Sequence, residues 1–166
     1  MPASPVRLLL LDADVLQALV DRDIDEASAA AGVALPERWI EDPWLWTLRL
    51  GQAIGEPAQR PWLIRAVVAL DGTVVGHAGF HGPPDARGMV EIGYEIEPAQ
   101  RRRGYARAAV GELLAYAGRH GAVVARASVG PGNAASLGLI AALGFVPVGE
   151  QVDELDGPEL VFERQV

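Results

Sequence analysis

Apolar residues recur at two spacings along the chain, and the switches between those spacings divide it into elements. Val90, Ile92, Tyr94 and Ile96 alternate with Glu91, Gly93 and Glu95, which predicts a strand with one buried face. Just beyond, Ala106, Ala109, Val110, Leu113, Leu114 and Ala117 fall at helical spacing. They predict a helix from Gly104 to about Arg119, ended by His120-Gly121. Upstream, Ile64 to Leu70 and Thr73 to Phe80 flank Asp71-Gly72, a hairpin signal. Gly82 to Asp85 and Arg87-Gly88 then turn the chain into the strand at Val90. Downstream, Ala122 to Val129 reads as a strand, and a helix between two strands implies a crossover and a parallel pair. A short helix from Ala134 to Leu143 follows, capped by Asn133 and stopped by Gly144. Phe145 to Gly149 and Glu159 to Glu163 are the last strands, joined by an acidic turn over Asp153 to Pro158.

The first third is less regular. Met1 to Pro5 reads as a loose leader and Val6 to Leu11 as a strand. Asp12 or Asp14 caps a helix through Leu16, Leu19 and Val20. Asp23 or Asp25 caps a second, which runs to Ala31 and stops at Gly32. From Val33 to Arg65 the pattern is broken by Pro36, Pro43, Pro57 and Pro61, with one helix predicted from Pro43 to Ile54. This stretch holds every tryptophan: Trp39, Trp44, Trp46 and Trp62. Trp44 or Trp46 is expected to anchor the segment on the sheet, while Trp39 and Trp62 suit anchoring and pocket-lining equally.

Composition narrows the class. A chain of 166 residues, half of them hydrophobic, fits one α/β domain spanning 1–166. The absence of cysteine excludes disulfides, thiolate metal sites and cysteine nucleophiles. His77, His81 and His120 lack metalloprotease spacing, so structural or solvent-facing roles are expected and no metal. A net charge of −8 argues against nucleic-acid binding. Leu8 to Leu11 is too short for a signal peptide, and no stretch is long enough to span a membrane, so a cytoplasmic protein is the expectation.

Against that acidic background, Arg101, Arg102 and Arg103 lie between the central strand and its helix. The first N–H groups of a helix have no intrahelical partner, and Gly104 allows close approach of a ligand to the backbone. The stretch is neither a phosphate loop of the nucleotide-hydrolase kind nor a dinucleotide fingerprint. What remains is Arg101-x-x-Gly104-x-Ala106, a candidate anion site.

Together with Asn133-x-x-Ser136 and Gly144-Phe145, this pattern closely resembles the GNAT acyltransferases over roughly Ile64 to Glu163. The wording Glu91-Ile92-Gly93-Tyr94 and Asn133-Ala134-Ala135-Ser136 is most similar to the branch that acetylates ribosomal-protein N-termini. The resemblance implies the GNAT fold: a mixed, mostly antiparallel sheet with a splayed parallel pair, flanked by helices. It implies acetyl-CoA as cosubstrate, its pyrophosphate on Arg101, Arg102, Arg103, Gly104, Tyr105 and Ala106, its pantetheine arm on Tyr94, Glu95 and Ile96. Asn133 and Ser136 would complete that site, and the Arg102 and Arg103 side chains would meet the 3′-phosphate end. The acceptor would be a primary amine, on a protein N-terminus or a small molecule. Glu91 or Glu95, on one strand face, would serve as base. The position of the family's acid tyrosine is Ile140, which leaves Tyr94 on the apolar face and Tyr105 beside the turn, neither assigned. Homodimers are common in the family. The alternative is a non-catalytic, regulatory CoA-binding domain.

Overall fold

The computed structural model describes residues 4–166, so Met1 to Ala3 of the expected leader lie outside the described residues. Strands β1 (Val6–Leu10), β2 (Ile64–Ala69), β3 (Val74–Phe80), β4 (Met89–Ile96), β5 (Val124–Val129), β6 (Val146–Asp153) and β7 (Gly157–Gln165) form one sheet. Its order is β1-β2-β3-β4-β5-β7-β6. Every neighbouring pair is antiparallel except β4 with β5, which is parallel. The helices are α1 (Ala13–Val20), α2 (Ile24–Ala31), α3 (Trp44–Gly55), α4 (Tyr105–Arg119) and α5 (Ala134–Ala142). This is the expected α/β fold with a mixed, mostly antiparallel sheet.

Two cores lie on opposite faces of the sheet. On one, Val110 and Leu113 of α4 pack against Val67, Val75, Phe80, Val90 and Ile92. On the other, Leu16 and Leu19 of α1 and Trp46 and Leu50 of α3 pack against Ala66, Val68 and Val74. Strand β2 therefore contributes to both cores, which is why its sequence is apolar without a break from Ala66 to Ala69 and not alternating. The caps are local: Asp12 accepts from Val15 N–H at 3.1 Å, Asp23 from Glu26 at 2.9 Å and Asn133 from Ser136 at 3.1 Å.

Three details depart from the sequence expectation. The proline-broken segment closes into 3-10 turns at Glu37–Ile40 and Pro57–Trp62 around α3. Three of its tryptophans are anchors: Trp39 and Trp46 stack with ring centroids 4.8 Å apart, and Trp62 meets Phe80 edge-on at 5.2 Å. Only Trp44 stands out, 49% exposed. Secondly, β6 and β7 are longer than predicted. Asp153 accepts the N–H groups of Leu155 at 2.8 Å and Asp156 at 2.9 Å, so the acidic stretch tightens into the hairpin tip. Thirdly, β5 begins two residues late, because Ala122 N–H is held by Ala117 carbonyl at 3.0 Å at the end of α4.

Gly79 lets β3 lie close beside β2. A Cβ there would fall 2.6 Å from the Leu63 carbonyl oxygen and 2.8 Å from Ile64 Cα, both backbone atoms that cannot rotate away. Gly79→Ala is expected to destabilise the protein by about 1–3 kcal/mol in urea unfolding. Gly51→Ala, on α3 with nothing within 4 Å, is expected to be neutral or stabilising. Equal stability of Gly79→Ala and the parent protein would contradict this packing.

Candidate functional site

Strands β4 and β5 pair only at Met89↔Val124, Val90↔Ala125 and Glu91↔Arg126, although β4 runs on to Ile96 and β5 to Val129. Beyond Glu91 the two part. His81 N–H donates to the Glu91 carbonyl and Glu97 N–H to the Val75 carbonyl, both at 2.9 Å, so the odd-numbered residues of β4 turn their backbone toward β3. By alternation Ile92, Tyr94 and Ile96 turn theirs toward the gap. The gap opens into a cleft of about 960 Å³ whose lining includes Trp44, Arg49, His81, Glu91, Asn133 and Glu159.

The turn after β4 is held at both ends. Glu97, 8% exposed, accepts from Trp39 Nε1 at 2.7 Å and from Arg38 Nη1 at 3.1 Å, which fastens the strand end. Arg101 Nε donates to the Ile96 carbonyl at 3.0 Å, and Arg103 Nη1 donates to Gln100 Oε1 at 3.1 Å. Arg102 and Gly104 both take positive φ, +65° and +82°. Among the described residues, the backbone N–H groups from Arg102 to Arg107 have no hydrogen-bond partner, and α4 has no side-chain cap. A Cβ on Gly104 would meet nothing within 4 Å, so the space over these N–H groups is open. A run of free N–H groups at the start of a 15-residue helix is a polyanion cradle. Two of the arginine side chains bond within the turn, and the Arg102 side chain has no hydrogen bond or ion pair among the described residues.

The cleft-facing side of the β3–β4 hairpin carries two His–Glu rungs. His77 pairs with Glu95 across the strands, with Nε2 to Oε2 at 3.7 Å. His81 lies across from Glu91, with Nδ1 to Oε2 at 3.8 Å. Between them the rung is Gly79–Gly93, and a Cβ on Gly93 would fall 3.2 Å from His81 Nε2. The missing side chain seats the imidazole. His81 and His77 thus face the site, not merely solvent or core. Their mirror-image spacing with Glu91 and Glu95 about the intervening turn was the signal available in the sequence.

The two glutamates are held differently. Glu95 faces His77 at 3.7 Å and accepts from Arg38 Nη2 at 3.1 Å, and these two neighbours hold its carboxyl at about 2, well below the ordinary 4.5. Glu91 accepts a 2.7 Å hydrogen bond from Ser128 Oγ, which in turn accepts from Gln151 Nε2 at 3.1 Å. His81 keeps 48% of its side chain open to the cleft, yet desolvation by the walls pulls its pKa below 6.5. Glu91 opposes that shift and Arg49 reinforces it. Ser128, Gln151 and Arg49 are site residues that the sequence analysis did not single out, and Trp44, named there with Trp46 as an anchor, lines the cleft instead.

Asn133 and Ser136 line the cleft from the start of α5, the former as its cap. Tyr94 packs against the apolar core and also reaches the cleft. Its hydroxyl is buried without a well-directed hydrogen bond, and burial raises its pKa, with Ser136 opposing. Ile140 is fully buried and takes no part in the lining. Tyr105, at the head of α4, is half-buried beside the turn and outside the cleft lining.

A parted parallel pair above an uncapped helix is the GNAT fold. The chain belongs to the acetyltransferase (GNAT) family, whose sequence profile matches residues 23–145. The match starts well before Ile64 and takes in α2, α3 and the tryptophan-rich segment. A 44-residue stretch is 43% identical to the Bacillus subtilis N-acetyltransferase YjdG, spanning 26% of this chain and 26% of that protein. In structure the chain is similar to a ribosomal-protein-S5-alanine acetyltransferase from Vibrio fischeri, with TM-score 0.69 at 16% identity over 99% and 95% of the two chains. A phosphinothricin acetyltransferase from Sinorhizobium meliloti, solved with acetyl-CoA, gives TM-score 0.65 at 20% identity over 98% and 89%. Spermidine N-acetyltransferase from Vibrio cholerae gives 0.66 at 17% over 98% and 95%. At these identities the likeness establishes the fold, and names so varied do not single out the ribosomal-protein branch.

The Glu95 ion pairs make an acid-stability signature. A carboxyl depressed from 4.5 to about 2 contributes stability that is present above pH 4.5 and lost as pH falls toward 2. Glu95 is 44% exposed, so the contribution is screened to about 1 kcal/mol or less. The melting-temperature gap between the parent protein and Glu95→Gln is expected to hold steady above pH 4.5 and close by about pH 2. A gap unchanged across that range would show that the ion pairs do not form.

Proposed function

We propose that this protein transfers the acetyl group of acetyl-CoA to a primary amine. The observation that carries the reading is the union of the β4–β5 gap and the His–Glu face in one cleft, with the free N–H groups from Arg102 to Arg107 on the turn that directly follows β4. The residues present fit the cosubstrate. The N–H run and the open space over Gly104 suit a pyrophosphate, and the gap-facing backbone of Tyr94 and Ile96 suits the amides of a pantetheine arm. Asn133 and Ser136 border the same gap from α5, and the orphaned Tyr94 hydroxyl lies near Ser136.

When bound, acetyl-CoA supplies a thioester carbonyl that an amine attacks with release of CoA. Around it the chain provides three things. The gap-facing N–H groups of β4 stabilise charge developing on the carbonyl oxygen. Glu91 and His81 act as a coupled pair that receives the proton lost by the amine. The imidazole is neutral at pH 7 because its pKa is depressed, and Ser128 fixes the carboxylate beside it. Tyr94, kept protonated by its raised pKa, is placed to donate toward a leaving thiolate. Glu95, held ionised by Arg38 and His77, is too weak a base for the proton and serves as fixed negative charge that draws in a cationic acceptor.

Gly104→Asp tests the cradle. Its carboxylate would occupy the free N–H groups as an intramolecular cap, so acetyl-CoA affinity measured by calorimetry is expected to fall at least about tenfold. Thermal stability is expected to fall by no more than about 1–2 kcal/mol, since a non-glycine residue at φ +82° is strained. Unchanged affinity would remove the turn from the binding site.

The proton-accepting pair is tested by pH. His81 must be neutral to accept, and its pKa lies below 6.5. The ratio of kcat/KM for the parent protein to that for His81→Gln is therefore expected to fall as pH drops below 6.5, a comparison that cancels the ionisation of the acceptor itself. Glu91→Gln is expected to lower kcat/KM by roughly 10²–10⁴-fold. A pH-independent ratio together with an active Glu91→Gln would sink the assignment.

A further inference from the structure

Two arginines are buried in this protein, and they are treated very differently. Arg65 donates from Nη1 to the Leu63 carbonyl at 2.7 Å and from Nη2 to the Pro61 carbonyl, and its guanidinium lies 4.6 Å from the centre of the Tyr116 ring. That cation is satisfied within the fold. Arg49, on the cleft wall made by α3, is 8% exposed. It forms no ion pair among the described residues, and its single hydrogen bond runs from Nη1 to the neutral Gln52 Oε1 at 2.7 Å. Its Nε is fully buried without a partner. Its Nη2 also has no hydrogen-bond partner among the described residues, and the residue lines the cleft.

A nearly buried guanidinium with unused donors is costly unless something completes it. Glu91 acts on Arg49 through space only; its oxygens are taken up with Ser128 and faced by His81. Gln52 fixes the orientation of the group, for its own Nε2 donates to the His81 carbonyl at 2.9 Å. Arg49 is thereby tied to the residue proposed to receive the amine proton. The rest of the lining is acidic: Glu91 and Glu95 on β4, then Asp153, Glu154, Asp156 and Glu159 on the β6–β7 hairpin. One cation set among carboxylates in a single cleft matches a ligand that carries both charges.

We propose that the acceptor is an amino acid or a similarly short amine-bearing carboxylate, its carboxylate held by Arg49 while its amine faces His81 and Glu91. This deepens the acetyl-transfer reading and rests on it. The planar guanidinium is suited to a carboxylate, and charge-assisted hydrogen bonds of that kind are the strong ones. In the transfer itself the amine nitrogen bonds to the acyl carbon, the carbon–sulfur bond breaks with its electron pair leaving on sulfur, and the amine proton passes to the His81–Glu91 pair. Arg49 touches only the unreactive end, so it is a binding and specificity residue.

The test pairs each of a set of L-amino acids and short ω-amino acids with its own primary amide, which keeps the amine and the size but removes the negative charge. CoA release is followed for the parent protein, Arg49→Gln and Arg49→Lys. The acid-to-amide ratio of kcat/KM is expected to be roughly tenfold to a hundredfold higher in the parent protein than in Arg49→Gln, chiefly through KM, with partial recovery in Arg49→Lys. Equal ratios in folded variants, or a parent protein that prefers amines without an anionic group, would overturn the proposal. So would binding of acetyl-CoA with no turnover of any member of the set, a result that leaves the cosubstrate reading standing. Calorimetric titration with the N-acetylated amino acids needs neither acetyl-CoA nor turnover. Binding that is lost in Arg49→Gln supports the Arg49 site even where acyl transfer itself fails, and absence of binding refutes it.

Discussion

Strands β4 and β5 share three rungs and then separate, and the reason lies in their other partners. Strand β4 stays in register with β3 as far as Gly76↔Ile96, and its end is fastened by Glu97 to Trp39 and Arg38. Strand β5 stays in register with β7 as far as Val129↔Leu160. Each strand follows its own antiparallel neighbour, where pairing is longer, and the short parallel seam yields. Unpaired backbone groups inside a fold need a partner, and although Arg101 satisfies the Ile96 carbonyl, a gap maintained in this way is an open demand for hydrogen bonds centred on Tyr94. An extended ligand with regularly spaced amides meets that demand as a strand would.

The same seam explains how an acidic chain separates two kinds of charge. The formal charge of −8 is partly concentrated in the cleft by the β6–β7 tip and by Glu91 and Glu95. The turn at the other end of β4 presents no acidic side chain between Gln100 and Arg107, only N–H groups and arginines. That distribution favours negative charge at the turn and positive charge in the cleft. Arg49 is the exception within the acidic region, and its lack of an ion pair makes that exception informative.

Much of this was legible in the sequence because it rests on local rules. The alternation over Val90 to Ile96, the helix after Gly104, the caps at Asp12, Asp23 and Asn133 and the parallel seam all follow from spacing and from capping chemistry. The resemblance carried by Arg101-x-x-Gly104-x-Ala106 extended this to the family. What escaped depends on tertiary register. His77 and His81 acquire meaning only once β3 is laid against β4, and Arg49 only once α3 covers the cleft. Ser128 and Gln151 come from strands that meet Glu91 across more than twenty residues of sequence. The side-chain bonds of the turn escaped for the opposite reason. Charge is visible in a sequence, whereas the hydrogen bonds that commit Arg101 to the Ile96 carbonyl and Arg103 to Gln100 are not.

The depth of the cleft has its own cause in the glycine rung. Gly79 and Gly93 lie directly across from each other between the two His–Glu rungs, and both line the cleft. Any larger residue at Gly93 would press on His81, the ring that must stay beside Glu91. Gly79 cannot be enlarged without pushing β2 away, which would loosen the strand on which both cores meet. A single bare rung therefore does two jobs: it sets the spacing of the charged pairs and leaves the floor low enough for an amine to reach the strand gap. Residues with no functional group thus decide where the functional ones can act.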